Sequence, residues 1–94
     1  MKREIVLLTG RVQGVGFRYQ VAKIAQRFAI AGSVRNLRTS YALEIDVEGA
    51  PTEVDHFIEA VLTAPPPGGH IDTITRREAK PRQATTFEIG PTSD

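Results

Sequence analysis

The sequence predicts an α+β sandwich in the order βαββαβ, a four-stranded antiparallel sheet with two helices on one face, and three patterns carry that prediction. Leu43, Ile45 and Val47 alternate with Glu44, Asp46 and Glu48, the period-two signature of a strand with one side in a core. Phe17, Val21, Ile24, Ala25 and Phe28 recur at helical spacing, with Lys23, Gln26 and Arg27 between them. Val54, Phe57, Ile58, Val61 and Leu62 form a second such stripe. At 94 residues the chain can build one core but not two, so residues 1–94 are read as one domain.

The elements follow in order. Ile5-Val-Leu-Leu-Thr9 is a short β-favouring run ending at Gly10, consistent with a strand buried on both faces. The helix beginning near Phe17 is expected to close at Ala31-Gly32, where glycine can adopt a left-handed cap. A strand from Ser33 to about Leu37 leads through a turn at Arg38-Thr39-Ser40 to the alternating strand, which Gly49 ends. Pro51 suits the first turn of the second helix. Thr63-Ala-Pro-Pro-Pro-Gly-Gly69 must break it and is read as a structural connector. Strands around Ile71–Thr75 and Thr85–Ile89 close the order, with residues 91–94 as a frayed tail.

Composition narrows the function. Apolar residues make up 40% and charged residues 24%, an ordinary globular balance. No apolar run approaches the roughly 18 residues of a membrane span, and no cleavable-signal pattern opens the chain, so a cytoplasmic location is expected. The absence of cysteine excludes disulfides, thiolate catalysis and cysteine-held metals. The net charge of +1 conceals an asymmetry: residues 1–38 carry eight Lys/Arg and one acid, whereas residues 39–72 carry seven acids and no Lys/Arg. Only the first segment invites an anion.

That segment holds Gly10, Gly14 and Gly16 between the first strand and the first helix. Glycines let successive backbone N–H groups converge on one point, and the following helix adds unpaired N–H groups and the positive end of its dipole. Arg18 at the helix start offers a guanidinium fork to a phosphate held there. A purely structural tight turn would use the same glycines. The spacing is neither G-x-x-x-x-G-K-[ST] nor G-x-G-x-x-G, which sets aside two common nucleotide motifs.

Gly10-Arg-Val-Gln-Gly-Val-Gly-Phe-Arg18, followed by Gly32-Ser-Val-Arg-Asn-Leu37, resembles the two signature stretches of the acylphosphatase family, and the resemblance extends over essentially the whole chain. It implies a ferredoxin-like fold and metal-independent hydrolysis of acyl phosphates to carboxylate and phosphate, without a cofactor. It further implies a phosphate-binding loop of Gln13, Gly14, Val15, Gly16, Phe17 and Arg18, with Arg18 binding the phosphate and Asn36 positioning the attacking water. Two departures stand out. Ser33 replaces a bulkier, often aromatic residue, and Arg38-Thr-Ser-Tyr41 replaces the usual turn carrying Asp and Gly.

Such chemistry requires no catalytic histidine, and His56 and His70 are read as ordinary helix and connector residues. Arg11 and Arg35 add positive potential near the site, while Arg3, Arg27, Arg38, Arg76, Arg77 and Arg82 are read as solvated. The partners expected are a small-molecule acyl phosphate and its phosphate product, with the chain a monomer. A non-catalytic anion-binding module is the alternative, since domains of this family also occur within larger enzymes. An RNA-binding domain of the same element order is disfavoured, because Glu44, Asp46 and Glu48 are expected on the solvated open face, where they would repel phosphate backbones.

Overall fold

The computed structural model describes residues 1–93. The elements are β1 (Lys2–Arg11), α1 (Phe17–Ala25), β2 (Ile30–Asn36), β3 (Leu43–Gly49), α2 (Pro51–Thr63), β4 (His70–Ala79) and β5 (Phe87–Ile89). The fold is ferredoxin-like, but the sheet has five strands rather than four, in the order β4-β1-β3-β2-β5. Strands β1 to β4 pair antiparallel, whereas β5 runs parallel to β2, with Gly32 opposite Phe87 and Val34 opposite Ile89. The sheet is therefore mixed. The fifth is the strand read from the sequence at Thr85–Ile89, for which a four-stranded βαββαβ order leaves no place; the chain leaves β4 at one edge and crosses to the other, where β5 pairs with β2.

The core lies where the sequence patterns intersect. Val6 and Leu8 of β1, Val34 of β2, and Leu43, Ile45 and Val47 of β3 face Phe17, Val21 and Ile24 of α1 and Val54, Phe57, Ile58 and Val61 of α2. Phe57 is fully buried and makes T-shaped contacts with Phe28 and Phe87, at centroid distances of 6.1 and 5.6 Å. Removing a large side chain here would cost about 3–5 kcal/mol.

Helix α1 stops at Ala25, seven residues before the expected cap at Gly32. Arg27 and Phe28 close it with N–H bonds to the Ile24 and Ala25 carbonyls, at 3.0 and 3.2 Å, and Ile30 already pairs with Gly49 in the sheet. Gly32 serves the sheet instead. Its φ is +138°, and a Cβ there would lie 1.7 Å from the Asp46 carbonyl oxygen, so only glycine lets β2 and β3 approach as they do.

The acids of β3 are not a solvated face. The segment after β4 passes over the helix-free side of the sheet, and the backbone N–H groups of Arg82, Gln83 and Ala84 donate to the Glu48 carboxylate at 3.3, 3.2 and 2.8 Å. Glu48 is consequently buried. Asp46 accepts two hydrogen bonds from Arg3, at 2.9 and 2.8 Å, and pairs with Arg82 at 3.2 Å; Glu44 pairs with Arg35 at 2.7 Å. Arg3 and Arg82 are thus structural partners rather than free surface charges.

Arg76 is another. It holds Glu4 in a two-point contact at 2.7 and 2.8 Å and reaches Asp55 at 2.8 Å, while Lys2 adds a contact to Glu4 at 2.9 Å. The hydrogen bonds from Arg76, then those from Lys2, outweigh the cost of burial and hold the Glu4 carboxyl down at about 2. The C-terminal segment is also engaged. The Ser93 N–H donates to the Asn36 carbonyl and the Ser93 carbonyl accepts from Arg38, both at 2.9 Å, so residues 91–93 are docked rather than frayed; Asp94 lies outside the described residues.

Candidate active site

The three glycines at the end of β1 and in the loop to α1 serve two purposes. Gly10 sits where the register of β1 against β4 shifts, and a Cβ there would lie 2.3 Å from the His70 carbonyl oxygen, so this glycine serves strand pairing. Gly14 and Gly16 have φ of +74° and +79° with no atom within 4 Å of where a Cβ would stand. Their requirement is the left-handed backbone itself, with open space beside it.

Gly16 is also the N-cap of α1, and it caps without a side chain. The first intrahelical bond runs from the Gln20 N–H to the Gly16 carbonyl at 3.1 Å, so the N–H groups of Phe17, Arg18 and Tyr19 precede the helical ladder. No acidic residue occupies the first turn to neutralise the positive end of the dipole. A cavity of about 90 Å³ opens here, bordered by Val12, Gly14, Gly16, Phe17, Arg18, Tyr19 and Asn36.

Arg18 is half-buried at the cavity and has no hydrogen bond or ion pair among the described residues, which leaves its guanidinium fork uncommitted. Asn36 reaches the same cavity from the end of β2. It is 9% exposed, and its Oδ1 is buried without a hydrogen-bond partner. A buried acceptor left unpaired costs about 1–3 kcal/mol, and such atoms in folded proteins ordinarily meet a donor from a ligand or water.

The other loop residues act differently. Phe17 borders the cavity and its side chain is part of the core. Val15 packs against the core. Gln13 turns away and donates through Nε2 to the carbonyls of Leu37 and Ala42, at 2.9 and 3.1 Å. That contact clamps the turn following Asn36, where the Leu37 N–H also donates to Ala42 at 2.9 Å and Tyr41 takes a φ of +57°. The atypical sequence Arg38–Tyr41 is thus held from the loop side by Gln13 and from the other side by Ser93.

Sequence reasoning missed Val12 and Tyr19 as cavity neighbours; Tyr19 could have been flagged by its place beside Arg18 at a helix start. Arg11 does not border the cavity, and Arg35 faces the opposite side of the sheet. His56 and His70 stand apart from it, His70 pairing with Asp72 at 2.8 Å on the surface. Among the described residues, no three His, Cys, Asp or Glu side chains gather to hold a metal.

The sheet topology and the two helices on one face define a small ferredoxin-like α+β domain, with a cavity at a helix N-terminus bordered by Gly14, Gly16, Arg18 and Asn36. Comparison with known proteins makes the assignment particular. The acylphosphatase family model matches residues 4–89, and the chain belongs to the acylphosphatase family. It is 38% identical over 87 residues to a protein named acylphosphatase from Synechococcus sp. (strain JA-2-3B'a(2-13)), spanning 93% of this chain and 90% of that one. Against the acylphosphatase of Listeria monocytogenes serotype 4b (strain F2365) the identity is 35% over 86 residues, 90% and 91% of the two chains. The crystal structure of acylphosphatase from Bacillus subtilis superposes with a TM-score of 0.88 at 34% identity, covering 96% of this chain and 99% of that one. Full-length HypF in its phosphate- and nucleotide-bound form superposes with a TM-score of 0.90 at 35% identity, covering 99% of this chain and 12% of that one.

Proposed function

We propose that this chain hydrolyses the carboxyl–phosphate bond of acyl phosphates, with the phosphate held by residues 13–18 and the attacking water aimed by Asn36. Membership of the acylphosphatase family supports the reaction. The observation that carries the residue assignment is the common cavity bordered by Gly14, Gly16, Arg18 and Asn36.

Phosphoryl transfer depends chiefly on positioning and on stabilising charge at the non-bridging oxygens. In this reading the Arg18 fork and the N–H groups opening α1 take those oxygens. Asn36 has no useful basicity, but its Oδ1 can accept a hydrogen bond from water and turn an oxygen lone pair toward phosphorus. The water oxygen bonds to phosphorus as the bond to the acyl oxygen breaks. The bonding pair leaves on the carboxylate, and the water's protons pass to phosphate oxygens and solvent. A carboxylate leaves without a strong general acid, so neither a histidine nor a metal is called for, and Arg18 supplies the positive charge.

Gln13 enters this scheme as a positioning residue. The reading further takes residues 1–94 as one cytoplasmic, monomeric domain whose partners are a small acyl phosphate and its products, with no nucleic-acid or membrane partner. The exposed large hydrophobics among the described residues, Met1, Tyr19, Tyr41, Ile74 and Ile89, are scattered along the sequence, which is consistent with a monomer.

Acetyl phosphate hydrolysis by the native chain, followed by phosphate release, tests the reaction. Turnover well above the buffer rate supports it. Hydrolysis no faster than buffer, with inorganic phosphate still bound, would assign the cradle to an anion-binding module instead.

A further inference from the structure

We infer that the helix-free face of the sheet carries a second anion site, built for a small organic molecule with anionic groups at two ends, such as a di- or tricarboxylate. The register places Arg77 of β4, Ile5 of β1, Asp46 of β3 and Ser33 of β2 in one row across the sheet. Alternate residues of a strand share a face, so these side chains project together, on the side away from the helices. A cavity of about 400 Å³ lies over the row, bordered also by Arg82, Gly90 and Pro91. That volume falls near the lower end of the roughly 300–1,000 Å³ typical of small-molecule sites, and it is several times the space beside Arg18.

The charges give this cavity its chemistry. Four arginines and two acids border it, so its formal charge is +2. Arg3 is fully committed, through Nε and Nη2 to Asp46 and through Nη1 to the Lys80 carbonyl. Arg35 spends only Nε on Glu44, and Arg82 reaches Asp46 through one nitrogen at 3.2 Å. Arg77 has no hydrogen bond or ion pair among the described residues. Both acids are therefore already engaged, while Arg35, Arg77 and Arg82 keep free N–H donors.

The free donors come from opposite sides. Strands β4 and β2 are three strand spacings apart, roughly 14 Å, and the side chains of Arg77 and Arg35 enter from those two walls. Between them the floor is made by Ile5, Asp46 and Ser33, and the one charge on it, Asp46, is already taken by Arg3 and Arg82. A guest with carboxylates at both ends satisfies both walls, whereas a single-headed anion satisfies one.

Isothermal titration with citrate as the probe tests the site, using the native chain, Arg18→Ala, Arg77→Ser and Arg77→Ser/Arg82→Ser. Arg77 has no partner to lose, so its single variant keeps the fold. One citrate is expected to bind the native and Arg18→Ala chains alike, about tenfold more weakly to Arg77→Ser, and more weakly still to the double variant. Acetate should bind at least about tenfold more weakly than citrate. Absence of citrate binding to the native chain, unchanged affinity in Arg77→Ser, or loss of binding in Arg18→Ala would each overturn the inference.

Discussion

The Gln13 side-chain amide donates to the Leu37 carbonyl at 2.9 Å, joining the loop that opens α1 to the residue immediately after Asn36. The same Nε2 reaches Ala42 at 3.1 Å, so a single nitrogen spans the mouth of the β2–β3 turn. The loop and the asparagine are therefore positioned together.

Gln13→Ala removes both contacts without touching the cavity lining. The expected result is a roughly tenfold fall in kcat with little change in KM, because Asn36 loses its aim while the phosphate cradle remains. Stability should fall by about 1–2 kcal/mol. Steady-state kinetics together with urea unfolding would separate the two effects. A change confined to stability would remove Gln13 from the positioning role.

Gly32→Ala and Gly16→Ala should differ sharply, although both residues have positive φ. At Gly32 the new methyl meets the Asp46 carbonyl at 1.7 Å within the sheet, so β2 and β3 must separate, and a loss of at least about 3 kcal/mol is expected. At Gly16 the space is open and the cost is backbone strain alone, about 1–2 kcal/mol. Chemical denaturation of the two variants gives the comparison.

Glu4 gives the fold an acid limit. Its carboxyl is held at about 2, below the ordinary 4.5, by Arg76 first and Lys2 second. A depressed folded value means that the unfolded chain takes up the proton more readily. The stabilisation is therefore complete above about pH 4.5 and is lost as the pH falls toward 2. Its size at neutral pH is on the order of 3 kcal/mol. Glu4→Gln should lower Tm at pH 7 and flatten the decline of Tm between pH 4.5 and 2, which differential scanning calorimetry at stepped pH would detect.

What the sequence revealed and what it concealed follow from the range of the interactions. The β3 alternation and the two helical stripes are periodic because one buried face imposes the period, and they mark the right elements, except that Phe28 at the end of the first stripe lies beyond α1. That Gly14, Gly16 and Arg18 come together at one cavity was equally legible, since they are neighbours in sequence. The pairing of Arg3 with Asp46 joins residues 43 positions apart, and that of Arg76 with Glu4 joins residues 72 apart. No local pattern announces such contacts, so the acids of β3 read as solvated. The position of β5 was hidden for a related reason: it depends on the crossing segment that Glu48 anchors through three backbone N–H groups. Gln13 sat inside the recognised motif, yet its contacts lie 24 and 29 residues away, which is why its clamp emerged only from the folded chain.

In the proposed mechanism Arg18 holds the phosphate and Asn36 aims the water. The direct test measures kcat for acetyl phosphate and the inhibition constant of inorganic phosphate for the native chain, Arg18→Ala and Asn36→Ala. Arg18→Ala should weaken phosphate binding at least about tenfold and reduce kcat/KM at least about a hundredfold. Asn36→Ala should reduce kcat about a hundredfold while leaving the inhibition constant within about threefold of the native value. Full turnover in Asn36→Ala, or undiminished phosphate binding and kcat/KM in Arg18→Ala, would contradict the account.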